Sequence, residues 1–383
     1  MSVRFRFPPQ ALPETAEALR DEVRAFLKEQ SPRWTLVDRA HSWMGFDRDF
    51  SKAMGAKGWI GMTWPKRYGG HERTSFERYV VLEEMLAAGA PVAAHWIGDR
   101  QSGPLLLHSG TEEQRLAYLP RVAAGEISFC IGLSEPDAGS DLASLRMRAV
   151  RTEGGGWRLN GTKVWTTNAH KSDYMIALVR TAPITDDAPR QAGLSQFIVD
   201  LTLPGITVKP IVDLTGEAHF NEVHFEDVDV PDDALVGAEG KGWAQVNAEL
   251  AFERSGPDRY LSAFPIVQPA LDAMAQPLSR EAARAVGRLA ARYATMRGMS
   301  LSVAGLLQAG ELPLQEAALV KDLGVTLEQE TPGIVTELMP DGGGGADLTA
   351  AIDYLTQMVA TFSLRGGTRE IMRGMTARGL GLR

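Results

Sequence analysis

The 383-residue sequence contains a single cysteine, Cys130. No intrachain disulfide can form, which fits a reducing compartment. Cys130 sits in the apolar run ISFCIGL and is expected to pack as a small hydrophobe rather than act as a thiol. A basic excess is also missing. The formal net charge of −8 argues against a general nucleic-acid surface, though it leaves room for a local basic groove around a phosphorylated ligand. No apolar stretch is long enough to span a bilayer, and MSVRFRFPPQALPETAEALRDE has no signal-like apolar core. A soluble, cytoplasmic protein is the expectation. The glycine-rich tract from Asp341 to Asp347 has no strand before it and no Lys-Ser/Thr pair after it. It therefore reads as a loop between helices, not a phosphate cradle.

What is present is an ordinary globular composition, 44% hydrophobic and 23% charged, on a chain long enough for two or three domains. The hydrophobic period changes twice. From Glu14 to about Gly125 it is helical, with Leu19, Val23, Phe26 and Leu27 on one face. Helix-length segments cover 50–57, 75–88 and 112–124, with a turn-rich loop from Trp64 to Gly70. From Ser128 to about Val230, short β-branched and aromatic runs alternate with Gly, Pro and Asp clusters. They are 157–159, 162–166, 174–179, 196–200, 206–209 and 221–225, with a polar hairpin loop over 181–191. Beyond Gly242 the helical period returns over 243–254, 259–274, 279–301, 314–339 and 348–363, then in a short helix after Gly367. The fold class implied is α+β: an N-terminal all-α domain (1–127), a central antiparallel β barrel or sandwich (128–238) and a C-terminal helix bundle (239–383).

Two blocks stand out. LSEPDAGSD runs from Leu133 to Asp141, and about twenty residues later GTKVWTTN runs from Gly161 to Asn168. Asn160-Gly161 between extended runs predicts a hairpin turn leading into a strand. On that strand, Trp165 and Thr167 are expected to share one face. A ring beside hydroxyls suits a flat heteroaromatic cofactor, with Trp165 stacking and Ser134, Thr167 and nearby amides bonding its edge.

In wording, order and spacing the two blocks resemble the flavin-binding signatures of the acyl-CoA dehydrogenase family. The resemblance covers nearly the whole chain, most clearly from Gly45 to Gly256 and from Gly366 onward. It implies FAD-dependent α,β-dehydrogenation of an acyl-CoA thioester, with a carboxylate taking the α proton and the β hydride passing to the flavin. By the same resemblance, Ser134, Trp165 and Thr167 contact the flavin ring, helped by backbone groups of Ile131 and Leu133. Ser140 lines the substrate or CoA tunnel. Gly367-Thr368-Arg369-Glu370-Ile371 resembles the family's Gly-Thr-Ser-Glu-Ile motif, which places Thr368 on the cofactor. Electron-transferring flavoprotein is the implied electron acceptor, and a tetramer the implied assembly.

This chain departs from the family at the base. Many members carry their catalytic glutamate just before that Gly-Thr, where this sequence has Gly366. Other relatives carry it in a Glu-Arg pair on the first long C-terminal helix, which here is Glu253-Arg254. Glu253 is the expected base, with Glu249 and Glu370 as fallbacks, and Arg254 is expected to position substrate or CoA. The family's Arg-x-x-Phe-Gly segment, whose arginine reaches a neighbouring subunit's FAD pyrophosphate, is reduced to Arg297-Gly298-Met299-Ser300. Its Gly-Gly-x-Gly stretch is replaced by Pro340-Asp341-Gly342-Gly343-Gly344-Gly345. The ring half of the cofactor site looks intact and the ADP half eroded. Three alternatives follow: a self-sufficient FAD enzyme, a partner subunit of a heterotetramer acting on bulky sterol side-chain or fatty acyl CoA esters, or an oxygen-using flavoenzyme on the same fold.

Overall fold

The structure is a computed structural model that describes residues 5–339 and 343–382, apart from the side chains at 249–253. The chain divides into two compact units. The first comprises residues 1–46, 73–92 and 251–383; the second comprises 47–72 and 93–250.

The first unit is helical. Helices α1 (Glu14–Glu17), α2 (Leu19–Gln30) and α3 (Leu36–His41) precede the excursion into the second unit. The face of α2 buries Leu19, Val23, Phe26 and Leu27, as its period predicts. Helix α5 (Ser75–Ala87) returns to this unit, after α4 (Arg48–Ala56) in the second. Thr35 and Thr74 start α3 and α5 with reciprocal capping boxes to Asp38 and Glu77.

The C-terminal helices of the first unit are α10 (Val267–Ala273), α11 (Arg280–Gln308), α12 (Leu314–Leu338), α13 (Gly345–Phe362) and α14 (Arg369–Gly379). Between them lies a core of Ile266, Val325, Val335, Leu348, Leu355, Met358 and Phe362. The single helix expected over 259–274 is broken into 3₁₀ turns at Pro257–Arg259 and Phe264–Ile266 before α10 begins. Pro265 lacks an N–H and disfavours a helical Phe264. The Ser262 amide instead donates to the Glu328 carboxylate at 2.9 Å. Of the glycine tract, Pro340 to Gly342 lie outside the described residues, and α13 starts at Gly345.

The second unit holds α4, α6 (Ala93–Ile97), a π-helical turn at Gly98–Ser102, α7 (Gly103–Ser109) and α8 (Glu112–Ala123), beside a seven-stranded sheet. Helix α9 (Gly242–Glu253) begins in this unit. The strands are β1 (Phe129–Gly132), β2 (Arg148–Arg151), β3 (Trp157–Thr167), β4 (Tyr174–Arg180), β5 (Leu194–Asp200), β6 (Ile206–Ile211) and β7 (Phe220–Val230). Their order is β1-β4-β2-β3-β7-β6, with β5 on β4. Pairing is mainly antiparallel, but β1 runs parallel to β4. Trp157 meets Phe197 edge to face at 5.3 Å inside a core shared with Leu159, Val179, Val223 and Phe225.

Asn160-Gly161 is not a hairpin turn. β3 runs straight through it, and the register against β7 slips between Leu159 and Gly161. Gly161 takes φ +146°, and a Cβ there would press on the Met147 backbone at 2.8 Å. The Asn160 amide bonds across to Asp227 in place of closing a turn. Between the pairs Leu159–Val228 and Gly161–Phe225, β7 advances three residues against two on β3, so the β-bulge lies on β7 near Asp227, whose φ is +48°, and the dipeptide sits opposite it.

Cys130 is fully buried, and burial pushes its thiol up to about 12. That lowers the thiolate fraction at pH 8 by orders of magnitude relative to an exposed cysteine. A disulfide reagent at pH 8 is therefore expected to leave native protein unlabelled and to label one thiol per chain only after denaturation. Rapid labelling of the native chain would contradict this burial.

Candidate functional site

The two sequence blocks meet in the second unit. Block one leaves the end of β1 and block two forms the end of β3. The Val164 amide donates to the Ser134 carbonyl at 2.9 Å. The Lys163 ammonium donates to the Leu133 carbonyl at 3.0 Å and to a Glu135 carboxylate oxygen at 2.8 Å. Ile131, Leu133, Ser134 and Thr167 are half-buried, while Ser140 is exposed on the following loop. Nearby, Asp141 pairs with Arg190 at 2.9 Å.

Trp165 is placed differently from simple alternation. A second register slip falls between Lys163 and Thr166, so both of those side chains point inward. The slip lies at Trp165, whose φ is +58°, and it breaks the period-two link between Trp165 and Thr167. The indole is 60% exposed and rests edge-on against Phe220, with ring centres 6.1 Å apart. A large ring held outward on a left-handed backbone is a costly arrangement for a residue with no further contact to make. The residues present therefore fit a flat aromatic cofactor on this face.

Glu135 and Lys163 lie inside the two blocks, and neither has a role in the sequence resemblance. The signal was available: Lys163 shares its strand phase with Trp157 and Leu159, and a lysine on a core-facing position needs a buried acid. Lys163 has no exposed surface, and burial pushes its ammonium down to about 8 against the opposing pull of Glu135.

In the first unit, the motif before α14 is built on Gly366 and Gly367, both left-handed at φ +65° and +95°. Arg254, only 6% exposed, donates to the Gly366 carbonyl at 3.2 Å and to the Met375 sulfur at 3.3 Å. Lys321, more deeply buried still, donates to the Gly367 carbonyl. Arg365 reaches the fully buried Glu328 at 2.8 Å and stacks on Trp43 and Phe362. Thr368 caps α14, accepting from the Ile371 amide at 3.4 Å.

Gly366 occupies a conformation that a side chain there would strain, so this backbone is not shaped for a glutamate. Glu370 is exposed, and the α14 amides together with Thr368 hold its carboxyl below the usual range. That shift is opposite to what a general base needs. The side chains of Glu253 and Glu249 lie outside the described residues; the Glu253 backbone ends α9. Arg297 lies in mid-helix on α11 and grips Glu83 with two bonds, at 2.7 and 3.1 Å.

The family model described as "Acyl-CoA dehydrogenase, N-terminal domain" matches residues 13–126, and that described as "Acyl-CoA dehydrogenase, middle domain" matches residues 130–228. Among curated relatives, acyl-CoA dehydrogenase FadE26 of Mycobacterium tuberculosis is 30% identical, with 99% of each chain covered. Acyl-CoA dehydrogenase FadE34 of the same organism is 34% identical over 85% of this chain, which spans only 45% of that relative's length. Among solved structures, "Tcur3481-Tcur3483 steroid ACAD" superposes with a TM-score of 0.86 at 29% identity, covering 98% of this chain and 100% of the other. The "ChsE4-ChsE5 complex from Mycobacterium tuberculosis" does so with a TM-score of 0.82 at 28% identity, covering 97% and 99%.

Proposed function

This chain belongs to the acyl-CoA dehydrogenase family, a family of oxidoreductases, and on that premise we propose that it dehydrogenates an acyl-CoA thioester at the α,β bond with FAD. The observation that carries this reading is the outward Trp165 beside Ser134 and Thr167, on the two linked blocks. FAD, when bound, would supply the hydride acceptor. The chain's own residues would do the rest. Trp165 offers a flat face to the ring, and Ser134, Thr167 and backbone groups of Ile131 and Leu133 bond its edge. Thr368, held on its glycine turn, would touch the cofactor, as the resemblance implies. Glu253 takes the α proton as general base. Ser140 lines the thioester's path. Arg254 supports the reading indirectly, by fixing the Gly366 carbonyl next to the Thr368 cap.

The acyl group is proposed to be bulky and steroid-like, because a similar structure is named a steroid ACAD. Electron-transferring flavoprotein is the proposed acceptor. The three-segment organisation with borders near 127 and 238 belongs to the same reading, as does a soluble cytoplasmic location. No helix among the described residues is long and apolar enough to cross a membrane.

A second reading has an observation of its own. Two nitrogens of the Arg297 guanidinium, Nε and one terminal nitrogen, are engaged by Glu83 within one unit, which draws it away from a neighbour's pyrophosphate. This favours a subunit that completes its cofactor site with a different companion chain, and a similar structure is described as a complex of two named components.

The visible spectrum of the purified chain, recorded anaerobically before and after CoA thioesters, tests both readings. A flavin band that bleaches supports a self-sufficient dehydrogenase. A chain that stays colourless after added FAD supports the companion-subunit reading.

A further inference from the structure

We infer that Lys163 and Glu135 are positioning residues for the cofactor-facing turn, aiming the Leu133–Ser134 peptide so that its N–H points outward beside Trp165. The inference rests on the flavin reading of that face; its geometry does not.

Glu135 is the hub. One of its carboxylate oxygens accepts from Lys163 at 2.8 Å and from the Met147 amide at 2.9 Å; the other accepts from the Arg146 amide at 2.6 Å. The pair thereby ties three segments together: the turn after β1, the bulged end of β3 and the approach to β2. The turn itself is closed by reciprocal bonds between the backbones of Glu135 and Ala138, at 2.9 and 3.0 Å.

A trans peptide holds its C=O and N–H on opposite sides. Lys163 draws the Leu133 carbonyl inward at 3.0 Å, so the N–H of the same peptide, that of Ser134, is turned outward. The next carbonyl, of Ser134, is drawn to the Val164 amide at 2.9 Å. Two successive carbonyls are thus committed to β3, and the donor between them faces the side on which Trp165 is exposed. A fixed donor costs no reorganisation when a ring edge arrives.

The space around Lys163 agrees. A Cβ on Gly132 would meet the Lys163 Cγ at 3.1 Å and the Met175 sulfur at 2.5 Å. The lysine stem fills its slot against β1, so its ammonium has little freedom to leave Leu133. A buried ion pair adds little net stability when an apolar pair could replace it. Its value here lies in fixing direction.

The test is the double variant K163M/E135Q, which removes both charges and avoids leaving Glu135 buried alone. Thermal midpoint serves as the folding control. Amide exchange is followed at Val164 and Glu135, and FAD affinity by flavin fluorescence. The expected result is a folded variant whose Val164 exchange accelerates at least about tenfold while the β4–β5 amides keep their protection. Its FAD dissociation constant should rise about tenfold, the loss of one oriented hydrogen bond. Unchanged exchange at Val164 overturns the inference whatever FAD does. Altered exchange with parental FAD affinity and spectrum also overturns it, reducing the pair to a structural tie. A parent chain that binds no FAD refutes the flavin reading instead, and exchange at Val164 then decides the positioning on its own.

Discussion

Replacing Glu253 with glutamine is expected to slow flavin reduction by a CoA thioester roughly 10²–10⁴-fold, the usual worth of a positioned general base. The visible spectrum and thermal midpoint should stay close to the parent's. Elimination and resemblance both point to Glu253. Gly366 has no carboxylate and a backbone at φ +65° that would strain one. Glu370 is spent at the α14 cap, with its carboxyl held below the usual range. Glu253 closes α9 immediately before the buried Arg254, whose guanidinium holds the Gly366 carbonyl. Stopped-flow reduction at 450 nm, with the chain loaded with FAD and with any companion it requires, reads the effect directly. Near-parental reduction by E253Q would remove Glu253 from the mechanism and leave Glu249 as the next residue to replace.

The largest stability effect is expected at Arg365. Its guanidinium is the charged partner of Glu328, which is fully buried and also accepts from the Ser262 amide at 2.9 Å. Arg365→Met removes the hydrogen-bonded counter-charge of that carboxylate and leaves only the weaker pull of the buried Arg259, a loss of about 3–5 kcal/mol. The pH dependence gives the effect a signature. Burial raises the Glu328 carboxyl above the ordinary range, and Arg365 is the main influence pulling it back down. Above the ordinary glutamate range and up to the raised value, the folded chain holds a proton that the unfolded chain has lost. The contribution of Glu328 to stability therefore falls as pH rises through that window. Without Arg365 the window widens upward. The midpoint deficit of R365M should accordingly be larger at pH 8 than at pH 5, where protonation of Glu328 relieves the unpaired charge. A deficit of the same size at both pH values would place the loss elsewhere, in the packing of Arg365 on Trp43 and Phe362.

Both expectations depend on residues that differ in how far they could be read from the chain alone. Leu19, Val23, Phe26 and Leu27 declare the buried face of α2 through spacing, because a helix repeats its own geometry every few residues. The Thr74–Glu77 box marks the start of α5 for the same local reason. The blocks at 133–141 and 161–168 carry the family resemblance by their wording, and the family matches bear that resemblance out. Local patterns also misled. Asn160-Gly161 suits a hairpin turn, and only the pairing of β3 with β7 on both sides of the dipeptide, across a bulge on β7, decides against one. The run over 259–274 has helical spacing, but Pro265 interrupts it and Glu328 claims the Ser262 amide.

The sequence by itself determined the order of helical and β segments, the resemblance and the missing carboxylate at Gly366, since each is local or literal. Tertiary structure alone decided that Lys163 pairs with Glu135, Arg365 with Glu328 and Arg297 with Glu83. It also decided that Trp165 faces outward, because a register slip reverses the alternation that the strand period would impose. A buried charge must find a partner or leave the core, but which partner depends on segments tens to hundreds of residues away. No spacing rule within one element contains that information.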